Sequence, residues 1–310
     1  MLAAVRRFFD QRGVLEVETP VLSRTGATDP HLVSFTTRLH QPGSHGAALP
    51  LLLQTSPEFA MKRLLAAGSG CIYQICKAFR DEEQGRLHNP EFTLLEWYRV
   101  GFGLTDLIAE TDELVRSLCA PALPLAAPEV FAYRDLFRQR LGIDPVEAGI
   151  ETLVQCAVTQ GLPEAEELCG NNKPLWLDFC FSHRIQPELG RGRLSFVRDF
   201  PAVLPSLARH KPDCPELVER VEVYLAGVEL ANGFHELQDA AEQDRRFEAD
   251  LQRRRLAGMD VPPKDGRLLA ALDAGLPDCA GIALGLDRLL MLRQGARDLT
   301  EVLAFPVDRA

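Results

Sequence analysis

No apolar run in this chain approaches the ~18 residues of a membrane span, and the opening MLAAVRRFFDQRG turns polar too soon for a secretory signal. No membrane association is expected, and a cytoplasmic location is. The eight cysteines, at 71, 76, 119, 156, 169, 180, 214 and 279, never form a CxxC pair. Their spacing suggests neither a zinc cluster nor a secreted disulfide framework, so reduced, mostly buried thiols are expected. Positive charge is in deficit: 34 Lys and Arg stand against 44 Asp and Glu, a net charge of −10. That balance argues against a broad nucleic-acid surface, which neutralises phosphates with Lys and Arg. Also missing are the glycine and Lys-Ser/Thr order of a P-loop, a dinucleotide fingerprint, an internal repeat and a low-complexity tail.

What is present is a globular composition, 46% hydrophobic and 25% charged over 310 residues, enough for one large domain or two ordinary ones. Residues 2–12 put Leu2, Val5, Phe8 and Phe9 on one helical face, closed by Gly13. Val14 to Val21 alternates like a strand. Leu51–Leu53 is a short apolar strand, and Ser56-Pro57-Glu58 reads as a helix start, with Ser as N-cap and Pro in the first turn. Cys71–Arg80 and Glu91–Val100 read as antiparallel strands around a ten-residue loop, followed by an amphipathic helix from Leu104 to Leu118. Three prolines in 121–128 break the pattern, and a mainly helical insertion is expected to about residue 195. Residues 218–234 return to strand character, turning at Ala226-Gly227. Helices are expected at Asp239–Ala257 and Arg267–Ala274, and a strand at Gly281–Gly285 feeding a helix at Asp287–Arg293.

The chemistry concentrates in FRDEEQGRLHNPEFTLLEWYR, residues 79–99. Strand alternation puts Phe92, Leu94, Glu96 and Tyr98 on one face, with Phe92 and Tyr98 roughly 20 Å apart. Such a face suits an extended ligand: a base stacked on Phe92, an ammonium at Glu96 and Tyr98. A carboxylate on an otherwise apolar face is costly without a partner. Arg80 can grip a phosphate or carboxylate in a planar fork, or pair with Asp81, Glu82 and Glu83 on the surface. Glu229 and Glu236 lie in GVELANGFHELQD, where Gly233 permits a bulge that breaks strict alternation. Two carboxylates there suit Mg²⁺ or an amine. His235 reads as structural, because no nucleophile arrangement supports a triad. Gly281 and Gly285 allow close backbone approach to a ligand, and Arg288 follows at a helix start. The charged helix at 239–257 reads as a solvated face with Phe247 and Leu251 inward.

Together these pieces resemble the catalytic core of class II aminoacyl-tRNA synthetases of the lysine branch. The opening helix and strand to Pro20 look like motif 1, FRDEE…HNPEFTLLEWYR like motif 2 and GIALGLDRLLM like motif 3; ARDLTEVLAFP matches the lysine-type ending. The resemblance implies an α+β fold, an antiparallel sheet flanked by helices in a single catalytic domain over 1–310. It implies that Arg80 and Arg288 are catalytic and that Arg80 clamps the α-phosphate and the substrate carboxylate. Glu82 and Asn89 would meet adenine, with Phe92 and Arg288 on its faces. Asp81, Glu229, Leu230 and Gly285 would line the ATP side, Glu229 also contacting Mg²⁺. Ser56, Pro57, Glu58, Glu96, Tyr98, Glu236 and Ala283 would form the amino-acid side.

The departures point further. A lysyl-tRNA synthetase carries an anticodon-binding barrel before motif 1, whereas here motif 1 begins at residue 1. Ala283 stands where the synthetase usually has glycine, and one methyl can shift discrimination by ~1–3 kcal/mol. This pattern resembles the stand-alone paralogue family that attaches β-lysine to elongation factor P. The resemblance implies ATP, Mg²⁺ and (R)-β-lysine, elongation factor P as protein substrate, a homodimer through motif 1 and no anticodon recognition. The alternatives are a synthetase-like core acting on α-lysine and tRNA, and a non-catalytic synthetase-like regulator.

Overall fold

The computed structural model describes residues 1–40, 48–162, 165–204 and 207–310. Two compact units emerge: Met1–Gly101 with Gln238–Ala310, and Phe102–Leu237. Each carries antiparallel strands with helices packed on them, the α+β class expected from sequence.

The first unit opens with the helix Leu2–Asp10, which buries Val5, Phe8 and Phe9 and stops at Gly13 in the left-handed region, φ +63°. Leu2 stays exposed. The strand expected over 14–21 is only the pair Leu15–Glu16, parallel to Ile72 and Tyr73. Leu15 points outward and Pro20 has no N–H to give, so the ladder runs out. The main strands are Ile72–Phe79, Glu91–Val100 and Cys279–Gly285, each antiparallel to its neighbour. Their register fixes two faces. Tyr73, Trp97 and Ile282 lie side by side on one, and Phe9 covers it, stacked on Tyr73 at 4.5 Å and tilted on Trp97 at 5.5 Å. Gln74, Glu96 and Ala283 lie side by side on the other.

That second face meets the helix Glu58–Ala66. The helix starts one residue later than expected, with Pro57 at the N-cap; the Ser56 hydroxyl accepts the Glu58 N–H at 3.1 Å. A small sheet of Leu22–Ser23, Ala48–Leu53 and Thr36–His40 completes the N-terminal part. The helices Ala240–Leu256 and Gly266–Gly275 are capped by Asp239 and Asp265. Phe247 of the former packs on Phe59 at 5.6 Å, as its inward orientation required. The helix Leu286–Arg293 follows directly from Gly285.

The second unit contains the helix Leu104–Cys119 and the strands Glu129–Ala132, Ser195–Pro201, Cys214–Leu225 and Val228–His235. Between the first two strands run the helices Tyr133–Leu141, Ile150–Thr159, Ala165–Cys169 and Lys173–Arg184. Their core is aromatic: Tyr133 stacks on Phe137 at 4.8 Å and on Phe181 at 5.1 Å. The hairpin turn is Ala226-Gly227, both at positive φ (52° and 76°), the geometry of a primed turn. Among the described residues, no helix is long and apolar enough to cross a membrane.

Candidate active site

Glu96 is the centre of the acidic end. It is 2% exposed on the middle strand. Its Oε1 accepts the Tyr98 hydroxyl and its Oε2 the Ser56 hydroxyl, both at 2.7 Å. One turn along the adjacent helix, Glu58 pairs with Lys62 at 2.7 Å, and Lys62 is almost wholly buried. Burial, and then the Glu58 charge, push the Glu96 carboxyl up to about 7; the Ser56 and Tyr98 hydrogen bonds and the Lys62 ammonium pull the other way. Burial and then the Glu96 charge lift the Cys76 thiol to about 12, so it stays protonated. Ala283 is the Cα partner of Glu96, and Gly285 that of Leu94. On the strand Cys279–Gly285 these two are the only positions not fully buried. The face is therefore least covered at Ala283 and Gly285, beside Glu96.

The basic end lies at the other end of the same strand. The Arg80 guanidinium sits 5.0 Å above the Phe92 ring. Its remaining contacts are weak: Nε to the Thr55 carbonyl at 3.4 Å and Nη1 to Glu83 at 3.6 Å, with a quarter of the side chain exposed. The surface ion pair thus exists, with Glu83, but it leaves the guanidinium available. Asp81 donates its N–H to the Val33 carbonyl and accepts the Glu82 N–H on Oδ1, both near 2.9 Å. Glu82 is held at φ +65°, a conformation that costs a non-glycine residue of order 1 kcal/mol or more.

Arg288 donates Nε to the Leu87 carbonyl at 3.1 Å and Nη2 to His88 Nε2 at 2.8 Å. Burial, and then Arg288 itself, lower the His88 pKa, which keeps the ring neutral and able to accept that bond. Next to Arg288, Asp287 accepts the Thr93 N–H at 2.7 Å and so locks the Phe92 segment against the helix Leu286–Arg293. Asn89 is largely buried and occupied within the chain: its amide nitrogen donates to the Glu91 carbonyl at 2.6 Å, and its oxygen accepts the Val307 N–H at 3.1 Å.

In the second unit the expected irregularity in GVELANGFHEL is present, at a different residue. Gly233 pairs normally with Val221; the register slips at Leu230, opposite Val223 and Tyr224. This bulge reconciles the seven-residue spacing of Glu229 and Glu236 with one face. Glu229 pairs with Tyr224, Asn232 with Glu222 and Phe234 with Arg220, so all three share a side, and Glu236 follows two residues on. Leu230 is buried. On the same face, Glu222 accepts from Arg220 and from the Tyr224 hydroxyl, and Arg220 Nε donates to Asn232 Oδ1 at 3.2 Å. Burial opposes the Arg220 charge, but Glu222 and then Glu229 outweigh it and hold the guanidinium protonated. His235 is buried against Glu219, whose carboxylate also pairs with Arg209. That is a structural setting.

Ser56, Glu58, Glu96, Tyr98 and Ala283 come together, as do Arg80, Phe92 and Arg288 with His88. Lys62, Gln74, His88, Glu222 and Arg220 were not singled out from sequence. Lys62 was signalled by its i+4 spacing from Glu58, and Gln74 by strand alternation with Cys76 and Ala78.

The family model for "tRNA synthetases class II (D, K and N)" matches residues 1–309. The chain is 48% identical to the elongation factor P–(R)-beta-lysine ligase of Klebsiella pneumoniae, over 100% of this chain and 94% of that protein. It is 49% identical to the ligase of the same name from Vibrio cholerae and 46% identical to that of Enterobacter, with the same coverage of each. The chain belongs to the class II aminoacyl-tRNA synthetase family of the D, K and N group, and within it to the elongation factor P (R)-β-lysine ligases.

Proposed function

We propose that this chain activates (R)-β-lysine with ATP and transfers the β-lysyl group to the ε-amino group of a lysine on elongation factor P. The observation that carries this is one strand face with a caged carboxylate, Glu96, at one end and an arginine-topped aromatic ring, Phe92, at the other. The first suits an ammonium and the second a base and its phosphate. The substrate carboxylate attacks the α-phosphorus in line, the bond to pyrophosphate breaks, and a mixed anhydride with AMP forms. The neutral ε-amine of the acceptor lysine then attacks the anhydride carbonyl carbon, an amide forms, AMP leaves and the amine loses a proton.

Arg80 bridges the substrate carboxylate and the α-phosphate and offsets the charge that builds there. Arg288, pre-set by neutral His88 and the Leu87 carbonyl, meets the other face of adenine from Phe92 or the terminal phosphate. In the first unit, Asp81, Glu82, Asn89 and Gly285 serve the adenine side; in the second, Leu230 is assigned an ATP contact and Glu236 an amino-acid contact. Ser56, Pro57, Glu58, Tyr98 and Ala283 complete the amino-acid side in the first unit. Mg²⁺ fits an all-oxygen set of one or two carboxylates plus phosphates. Among the described residues no cluster of three candidate ligands exists, so Glu229 with ATP oxygens is the donor set in question. When bound, the ion would neutralise phosphate charge. Dimerisation through the opening segment is supported by Leu2, Leu15, Val21 and Leu22, all exposed there. Cytoplasmic action is supported by eight free thiols. The reaction has no step in which an anticodon is read.

Intact-mass analysis of elongation factor P after incubation with the chain, ATP and (R)-β-lysine should show a gain of one lysyl residue. No gain, with pyrophosphate exchange strongest for α-lysine and tRNA charging present, would replace this activity with a synthetase's; no exchange with either amino acid would leave a regulator. A smaller effect is expected at Asp287. Asp287→Ala frees the Thr93 N–H and should raise the KM for ATP about tenfold, the worth of one charge-assisted hydrogen bond, while Asp287→Asn should recover most of it. Exchange assays at varied ATP read both.

A further inference from the structure

Gln74 lies on the amino-acid face, in direct register with Glu96 across the strand pair. Glu96 thus has Ala283 on one side and Gln74 on the other. Gln74 is 2% exposed, and its Oε1 is buried without a hydrogen-bond partner. The Gln74 side chain also interacts with the Cys76 thiol, the next residue on the same face of its strand. The carbonyl oxygen is the end left over. A buried acceptor without a donor destabilises a fold, and an apolar side chain of similar length removes that cost.

The groups around it do not meet the need. The Ser56 and Tyr98 hydroxyls are spent on Glu96, and Lys62 pairs with Glu58. What the spot lacks is a donor. An ammonium brings three N–H bonds in a tetrahedral spread, more than one carboxylate takes up from one side. A neutral amide beside Glu96 adds an acceptor without adding to the negative charge of Glu58, which already opposes Glu96 ionisation.

We propose that Gln74 is a substrate-specificity residue: its carbonyl oxygen accepts a hydrogen bond from the substrate ammonium that Glu96 neutralises. This rests on the β-lysine activity proposed above.

The test is amino-acid-dependent pyrophosphate exchange by the full chain carrying Gln74→Met, with Gln74→Leu as second variant, beside thermal melts. The KM for (R)-β-lysine should rise about tenfold to a hundredfold, the worth of a hydrogen bond to a charged group. The KM for ATP should not move, and the Tm should equal or exceed that of the wild type, because the unpartnered acceptor is gone. An unchanged β-lysine KM with a raised Tm would overturn the proposal, since the orphan acceptor would then be only a cost to the fold. A joint rise of both KM values with a lowered Tm in both variants would overturn it as well, by assigning Gln74 to packing. Were the wild type itself inert with (R)-β-lysine, the proposed function would fall first; exchange by the wild type with an unaltered KM in the variants sinks Gln74 alone.

Discussion

Arg80→Ala should lower (R)-β-lysine-dependent pyrophosphate exchange by about 10³-fold or more while leaving circular dichroism and Tm near wild type. The separation follows from how little Arg80 does for the fold. It makes one long hydrogen bond to Thr55, one loose ion pair to Glu83 and a contact over Phe92, and is a quarter exposed. Surface pairs of that kind are worth about 0–1 kcal/mol. In adenylate formation the same guanidinium faces charge that builds between carboxylate and phosphate. Removing one preorganised donor in such a setting costs about 10²–10³-fold, and here a forked, fully charged donor is lost. Arg80→Lys should recover part of the rate, since a point charge replaces the fork. Exchange at the wild-type rate in the alanine variant would remove Arg80 from the chemistry.

The second large effect concerns Glu96. Its carboxyl sits near 7 in the fold, well above the ordinary carboxylate value, because it is buried beside Glu58. An ammonium ligand binds the ionised form, so binding below that pH must expel a proton. The KM for (R)-β-lysine should therefore fall about tenfold per pH unit as pH rises toward 7 and level off above it. The titratable groups facing this carboxylate are Glu58, Lys62, Tyr98 and Cys76, and the Cys76 thiol stays protonated throughout this range. Glu96→Gln should raise that KM by about 10²-fold, as expected for the loss of a buried hydrogen-bonded charge partner, and flatten its pH dependence.

The stability signature has the opposite sign. A carboxyl whose folded pKa is raised holds its proton in the native state while the unfolded chain gives it up. Its contribution is fully present below the unfolded value and is lost as pH climbs to about 7. The glutamine variant should therefore melt higher than wild type at pH 8 and similarly at pH 4. A wild-type KM that stays flat between pH 5.5 and 8 would contradict the assignment.

The strand Glu91–Val100 was legible to the residue, because its alternation and flanking breakers agree. The helix boundaries near Asp239 and Asp265 were legible within a residue or two, because side-chain caps mark them. The short strands Thr36–His40 and Glu129–Ala132 were not, because their pattern is too brief to separate from loop. The site was legible where one strand carries it. It was opaque where partners come from elsewhere: Lys62 needs the helix and Gln74 the strand register. The bulge at Leu230 was expected three residues downstream because glycine is the usual marker, yet here the extra residue is a leucine whose side chain the core absorbs. Strand character at 218–234 was legible, but the mutual pairing of Arg220, Glu222 and Tyr224 was not, because strand alternation says which residues share a face and not which partners satisfy them.

The bond from Val307 to Asn89 ties the final stretch of the chain to the loop that carries Glu82 and His88. Val307→Pro would remove the N–H that Asn89 accepts and so release this clasp, while the strand ladder on either side of the loop keeps all its bonds.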